Sequence, residues 1–335
     1  MPHKRLSLIY LVILILILLL FTGDMMMGSV DISPKEVWLA LFDAGSDEVN
    51  GRIIRNIRLM KALVAILVGL ALPVCGLQMQ TLFRNPLAGP YTLGVSAGAS
   101  LGVALFMLGA PLMGMVGTSA LSVIGVAGAA WLGSAMLLLM LTATSHRIKD
   151  IMVILILGMM FSAGISAVVQ VMQYFSEESR LKSFVIWTMG SLGDVTLEQM
   201  QLMLPTIIVG LLLSIRSIKA LNLLLLGEQY AKSMGLNIQQ ARRLIFLSTT
   251  LLAGTITAFC GPIGFIGLAV PHLARALFHH AEHKVLMLGS ALMGAAIMLL
   301  CDITAKCLAL PINTITALVG IPIVIWVVIR NKSIA

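Results

Sequence analysis

Few side chains in this sequence could do acid–base, nucleophilic or metal chemistry. Asp302 and His272 are the ionisable residues nearest the interior of apolar stretches. Asp302 stands four residues before Lys306, a spacing that puts both on one helix face and suits a local ion pair or helix-end group. A proton relay is the competing use of an acid at such a place. His272 follows Pro271 at the expected start of a helix, as a hydrogen-bonded structural histidine or as a ligand for substrate or metal. Cys75, Cys260, Cys301 and Cys307 lie in or beside apolar runs without CxxC or Cys/His metal spacing, and read as small apolar packing residues. No phosphate-cradling GxxxxGK[ST] loop, HExxH, GxSxG or paired-carboxylate arrangement occurs. A proton- or sodium-driven carrier usually holds an intramembrane Asp, Glu or His as its coupling group, and such groups are nearly missing. The residues describe a pathway without an engine, so an engine would have to sit on another chain.

The elements that must position these residues are set by composition. Of 335 residues, 59% are hydrophobic and 11% charged, against about 25% charged in soluble domains. Mean hydropathy is +1.03. Surface of that kind needs no hiding in lipid. A span takes roughly 20 mostly apolar residues, and the candidates are 6–27, 61–82, 91–108, 119–141, 151–174, 201–215, 244–259, 267–278, 285–300 and 314–329. The expected fold is therefore all-α, a polytopic membrane protein with ten transmembrane helices in a single transmembrane domain over 1–335. Lys4 and Arg5 precede the first apolar run and no small-residue cleavage site follows it, so it is read as a retained first span rather than a signal peptide. The eighth candidate is short and follows the Gly/Pro-rich string GPIGFIGLAVP. Irregular backbone is expected there, tolerated at membrane depth only under protein or water cover.

Ten spans put both termini on one side. That side collects Lys4, Arg5, Arg84, Arg147, Lys149, Arg216, Lys219, Lys232, Arg242, Arg243, Arg275, Lys284, Arg330 and Lys332 against Asp150, Glu228 and Glu282. The opposite side is net acidic, so both termini are assigned to the cytoplasm. Two connections are long. The outer one, about 28–60, holds an amphipathic segment over 33–42 opened by Ser33 and Pro34 as cap and first helical residue. The inner one, about 216–243, reads as two short helices, 218–226 and 228–234, closed by Gly235 and followed by Asn237. Two such helices suit docking to a soluble partner.

Four strings are more specific. GLQMQTLFRNPLAGPYTLGVSAGASLG (76–102), LGEQYAKSMGLN (226–237), GPIGFIGLAVPHLAR (261–275) and LPINTITALVGIP (310–322) stand in order along the whole chain. Together they resemble the iron-siderophore, haem and cobalamin permeases of ATP-binding-cassette (ABC) importers. The resemblance implies a type II importer permease fold of ten helices and a homodimer with a central pathway. It also implies two cytoplasmic ATPase subunits that carry ATP and magnesium, a substrate-binding protein outside, and residence in a bacterial inner membrane. No cofactor is expected in this chain, and no catalysis.

Residue by residue, the resemblance makes Asn85 and Leu87 candidates for a cytoplasmic gate, with pure turn formation beside Pro86 and Pro90 the alternative. It makes Gly227, Glu228, Ala231 and Gly235 an ATPase coupling loop, and Gly261, Pro262, Gly264, Pro271 and His272 a structural motif. Arg58, Lys61 and Lys306 match basic positions on which acidic groups of a binding protein dock. Snorkelling to lipid head groups is their competing use. Gln78, Gln80 and Gln170 line the pathway or hydrogen-bond between helices. The pattern departs from the family at Asn313, where a Gly is usual, and at Ala309, where an acid is frequent. The stretch 145–152 matches poorly, and no second gate is carried into it. A self-sufficient secondary transporter of a small solute is the alternative function. A membrane scaffold or membrane enzyme is a third reading, and it has no use for the coupling loop. Which chelate is carried is not legible.

Overall fold

A computed structural model describes residues 3–28, 33–42, 49–92, 94–109, 123–145, 148 and 150–331. Arg147, Lys149, Lys332, the start of the 119–141 candidate span and parts of the 28–60 loop lie outside the described residues. Every regular element among the described residues is a helix. In order they are α1 (His3–Met26), α2 (Pro34–Phe42), α3 (Val49–Ile53), a π-helical turn (Ile54–Arg58), α4 (Leu59–Leu82), α5 (Val95–Met107), α6 (Val123–Ser145) and α7 (Ile151–Tyr174). There follow α8 (Glu178–Thr188), α9 (Leu197–Leu225), α10 (Glu228–Ser233), α11 (Ile238–Cys260), α12 (Ile266–Phe278), α13 (His283–Leu308) and α14 (Ile312–Asn331).

Six helical stretches are long and apolar enough to cross a membrane: Arg5–Met26, Gly51–Leu82, Ile151–Tyr174, Leu197–Leu225, Ile238–Cys260 and His283–Leu308. Shorter apolar helices, Val95–Met107, Gly125–Leu137, Ile266–Phe278 and Ile312–Val327, fall on the other candidate segments. α2 opens as its sequence predicts. Ser33 N and Oγ bond Glu36 Oε2 at 2.9 and 3.1 Å, and Glu36 N donates to Ser33 Oγ at 3.3 Å, a reciprocal cap with Pro34 in the first turn.

The inner loop corrects one expectation. Residues 218–225 are not a separate short helix but the end of α9, which runs unbroken for 29 residues. Past Gly210 the chain carries no Gly or Pro until Gly227, so nothing stops the helix at the membrane boundary. The second short helix is present as α10. Gly235 closes it at φ 85°, and Asn237 caps α11 by accepting from Gln240 N at 3.1 Å. α8 was not foreseen. Its residues are too polar on average to read as a span.

The chain forms two compact units. The first comprises Met1–Val74, Ser191–Gln201 and Gly264–Ala335. In it α13 packs against α1, α12 and α14. Gly69 of α4 and Gly294 of α13 meet backbone to backbone, and a Cβ at either would overlap the other's carbonyl oxygen. The Tyr10 hydroxyl donates to Val285 O at 3.1 Å, and its ring lies 5.0 Å from that of Phe278.

The second unit comprises Cys75–Gly190 and Leu202–Ile263. Gly98 and Gly102 of α5 face Gly133 and Ala129 of α6. The four-residue spacing puts each pair on one face and lets the backbones approach. Val103, Ala104, Ala130, Val169 and Phe184 fill the core beside that crossing. Gln78 is wholly buried. Its Nε2 donates to Ser217 Oγ at 3.1 Å, and its Oε1 accepts from Ser248 and Thr249 at 3.3 and 3.2 Å. This network joins α4, α9 and α11 through groups that lipid cannot satisfy.

Candidate functional site

Outside the GPIG motif, the candidate residues fall into four places. In the first unit, α1 ends where its last carbonyls need donors. Arg58 supplies them. Its Nη1 lies 2.8 Å from Met25 O and 2.7 Å from Met26 O, and Gly28 leaves the space the guanidinium occupies. Lys306 Nζ bonds Asp24 O at 3.1 Å. The same ammonium pairs with Asp24 at 2.8 Å and with Asp302 at 3.0 Å, and Lys61 pairs with Asp302 at 3.0 Å. The local Asp302–Lys306 pair expected from spacing is therefore present, inside a larger cluster. Arg58 and both acids are buried, and Lys61 keeps 24% of its side-chain surface exposed against 10% for Lys306. Sequence reasoning overlooked Asp24. The signal available was an acid closing the first apolar run, on the side to which Lys306 had already been assigned.

The second place is the end of α4 in the second unit. Asn85 Oδ1 accepts from Leu87 N at 2.9 Å and Asn85 O accepts from Ala88 N at 3.1 Å, a side-chain-closed turn. Leu87 is left 43% exposed at its tip. Arg84 just before it has φ 49°.

The third is the coupling loop. Gly227 precedes α10 at φ 106°, a backbone that strains any residue with a Cβ. Ala231 is buried, and Glu228 Oε1 pairs with Arg242 Nη2 at 2.6 Å. A groove of about 780 Å³ runs between Arg84, Ile151, Gly227, Glu228, Tyr230 and Ser233.

The fourth lies between α5 and α7. Ser162, Ser166, Gln170 and Gln173 follow one another at four-, four- and three-residue steps down one face of α7. With Ser96 and Ser100 of α5 they line a cavity of about 430 Å³. Of the three glutamines named from sequence, Gln170 alone is exposed in this cavity; Gln78 and Gln80 are buried.

The GPIG motif divides between the two units. Gly261 stands at φ 72°, where a Cβ would come 2.5 Å from Trp187 O. Gly264 N donates to Asn313 Oδ1 at 3.0 Å, so the departure at Asn313 supplies a partner for that turn. Pro262 follows Gly261 between α11 and α12, and Pro271 lies inside α12, which begins at Ile266, so His272 stands in mid-helix and not at the helix start expected from sequence. His272 is buried, with Nδ1 3.5 Å from Arg275 Nη1. Among the described residues no group of three or more His, Cys, Asp or Glu could hold a metal.

Helices of membrane-crossing length, a polar face inside one of them and a short helix in a basic loop fit a membrane permease. The chain belongs to the FecCD transport family, whose model matches residues 13–330. It is 36% identical over 340 residues to the hemin transport system permease protein HmuU of Yersinia pestis, covering 99% of this chain and 97% of that one. It is 37% identical over 282 residues to the vitamin B12 import system permease protein BtuC of Escherichia coli O9:H4 (strain HS), covering 83% of each. A solved metal-chelate type ABC transporter in an inward-facing conformation matches with a TM-score of 0.83 and 31% identity, over 97% of this chain and 99% of that one. The chain is thus a permease of the ABC importer kind.

Proposed function

We propose that this permease conducts an iron-siderophore, haem or cobalamin chelate inward through a bacterial inner membrane, as a homodimer driven by two separate ATPase subunits. The observation that carries the pathway is the polar face of α7. Ser162, Ser166, Gln170 and Gln173 form one polar face on an otherwise apolar helix, with Ser166 and Gln170 exposed, and an exposed amide in hydrocarbon is costly. Such a face belongs against water or a second copy, and the cavity beside Ser96 and Ser100 is where cargo would pass. The substrate range rests on HmuU and BtuC, whose names specify hemin and vitamin B12. Ten spans with both termini cytoplasmic remain the reading of the whole chain, taken as one permease domain.

In this scheme Asn85 and Leu87 narrow the cytoplasmic mouth, and Gly227, Glu228, Ala231 and Gly235 receive the ATPase. An extracytoplasmic binding protein docks on the outer ends of α4 and α13. Lys61, the most exposed of the three basic candidates, is assigned the contact, while Arg58 and Lys306 hold the helix ends that present it. The test is reconstitution of the chain in vesicles with and without its ATPase. Uptake of a ferric chelate, haem or cobalamin is expected only with ATPase, binding protein and ATP together. ATP-independent uptake by the chain alone would make it a secondary transporter instead.

A further inference from the structure

Arg84 ends the helix that leads into the gate turn, lies beside the start of the coupling helix, and lines one groove with the first residue of α7. α4 closes with two backbone bonds, Arg84 N to Thr81 O at 3.3 Å and Asn85 N to Gln80 O at 3.1 Å. This pattern puts the residue between them in the left-handed region, where Gly is the usual occupant. α10 closes the same way, by Gly235 N to Lys232 O and Leu236 N to Ala231 O, both 3.0 Å. There the left-handed residue is Gly235, at φ 85°. At the end of α4 it is Arg84, at φ 49°. A side chain kept at a position that a Gly would fill without strain is a candidate for a role of its own.

What the side chain does is visible at Gly227. The point where a Cβ of Gly227 would stand is 3.6 Å from Arg84 Nη1 and 3.7 Å from Nη2, so the guanidinium lies against the backbone that begins α10. The carboxylate of the next residue, Glu228, is held by Arg242 at 2.6 Å. Arg84 therefore meets the coupling loop as a planar body against peptide. On its other side its own backbone sets the direction of Asn85 and Leu87. The groove it lines also contains Ile151, the first residue of α7.

We propose that Arg84 is a positioning residue that transmits displacement of α10 to the gate turn, and so ties ATP hydrolysis to opening of the pathway. This rests on the reading of 216–243 as the ATPase loop. The experiment compares wild type with Arg84→Gly and Arg84→Lys, each reconstituted in vesicles with its ATPase and binding protein. Thermal melting, ATP hydrolysis and uptake of a ferric chelate, haem or cobalamin are measured on the same preparations. Arg84→Gly removes the backbone strain along with the side chain. Its melting temperature is expected at or above wild type and its hydrolysis to persist, while uptake per ATP falls about tenfold, a typical coupling between sites. Arg84→Lys restores charge without the plane and is expected to recover part of that ratio. An unchanged ratio in Arg84→Gly, or uptake lost only in step with lowered melting, would overturn the proposal. ATP-independent uptake by wild type would instead remove the importer reading, and this proposal with it.

Discussion

At the residue scale, the ammonium of Lys306 stands between two buried carboxylates, Asp24 at 2.8 Å and Asp302 at 3.0 Å. Lys61 gives Asp302 a second cation, whereas among the described residues Asp24 is ion-paired to Lys306 alone. Truncating one member of a buried pair leaves the other charged and unsolvated, at a cost of about 3–5 kcal/mol. Lys306→Met is therefore expected to lower the melting temperature of the detergent-purified chain by many degrees, with no binding protein present. A docking group alone would behave otherwise, with melting unchanged and only affinity for the binding protein reduced. Arg58 is tied in the same way, since its guanidinium holds Met25 O and Met26 O at the end of α1. The positions that family resemblance marks for a partner thus hold the helix ends together first.

At the element scale, packing depends on where backbones touch. A Cβ on Gly102 would overlap the carbonyl oxygen of Ala129, and neither backbone has a flexible end to move aside. Gly128, the residue before Ala129 in α6, would meet nothing within 4 Å. Gly102→Ala is expected to destabilise by about 1–3 kcal/mol through overpacking. Gly128→Ala is expected to be neutral or slightly stabilising, because Ala is the better helix former by about 1 kcal/mol. Melting of the two variants side by side checks this; equal melting would mean that the α5–α6 crossing can slide apart freely. Element positions were legible in the sequence because apolar runs and Gly, Pro, Ser and Asn punctuation are local. The cap at Ser33 and Glu36, the Gly235 stop and the Asn237 cap all follow from neighbours within a few residues. The unbroken run of α9 past residue 216 was missed because charge was read as a boundary, although Arg216 and Lys219 are compatible with helix. The ion cluster was only half legible. Asp302 and Lys306 are four apart, but Asp24 reaches them across hundreds of residues, and pairing at that range is a property of packing. Likewise nothing in a string of glutamines separates Gln78, buried in its network, from Gln170, open in its cavity.

At the scale of the whole molecule, the charges sort the loops. Arg216, Lys219, Lys232, Arg242 and Arg243 flank or lie in α10 along the chain, whereas the stretch from the end of α7 into α8 balances Glu177 and Glu178 against Arg180 and Lys182. Basic loops stay on the cytoplasmic side, so the proposed topology puts these two regions on opposite faces of the membrane. Ser179, at the start of α8, and Ser233, at the end of α10, are exposed positions in those two regions. Cys75, Cys260 and Cys301 are buried and Cys307 is exposed, so a Cys307→Ser background leaves no exposed native thiol among the four. In that background, Ser179→Cys is expected to react with a membrane-impermeant maleimide in cells whose outer barrier is opened but whose inner membrane is intact. Ser233→Cys is expected to react only once the inner membrane is permeabilised. The reverse pattern would place the coupling loop outside, where no ATPase could reach it, and would undo both the two-termini-inside topology and the importer built on it.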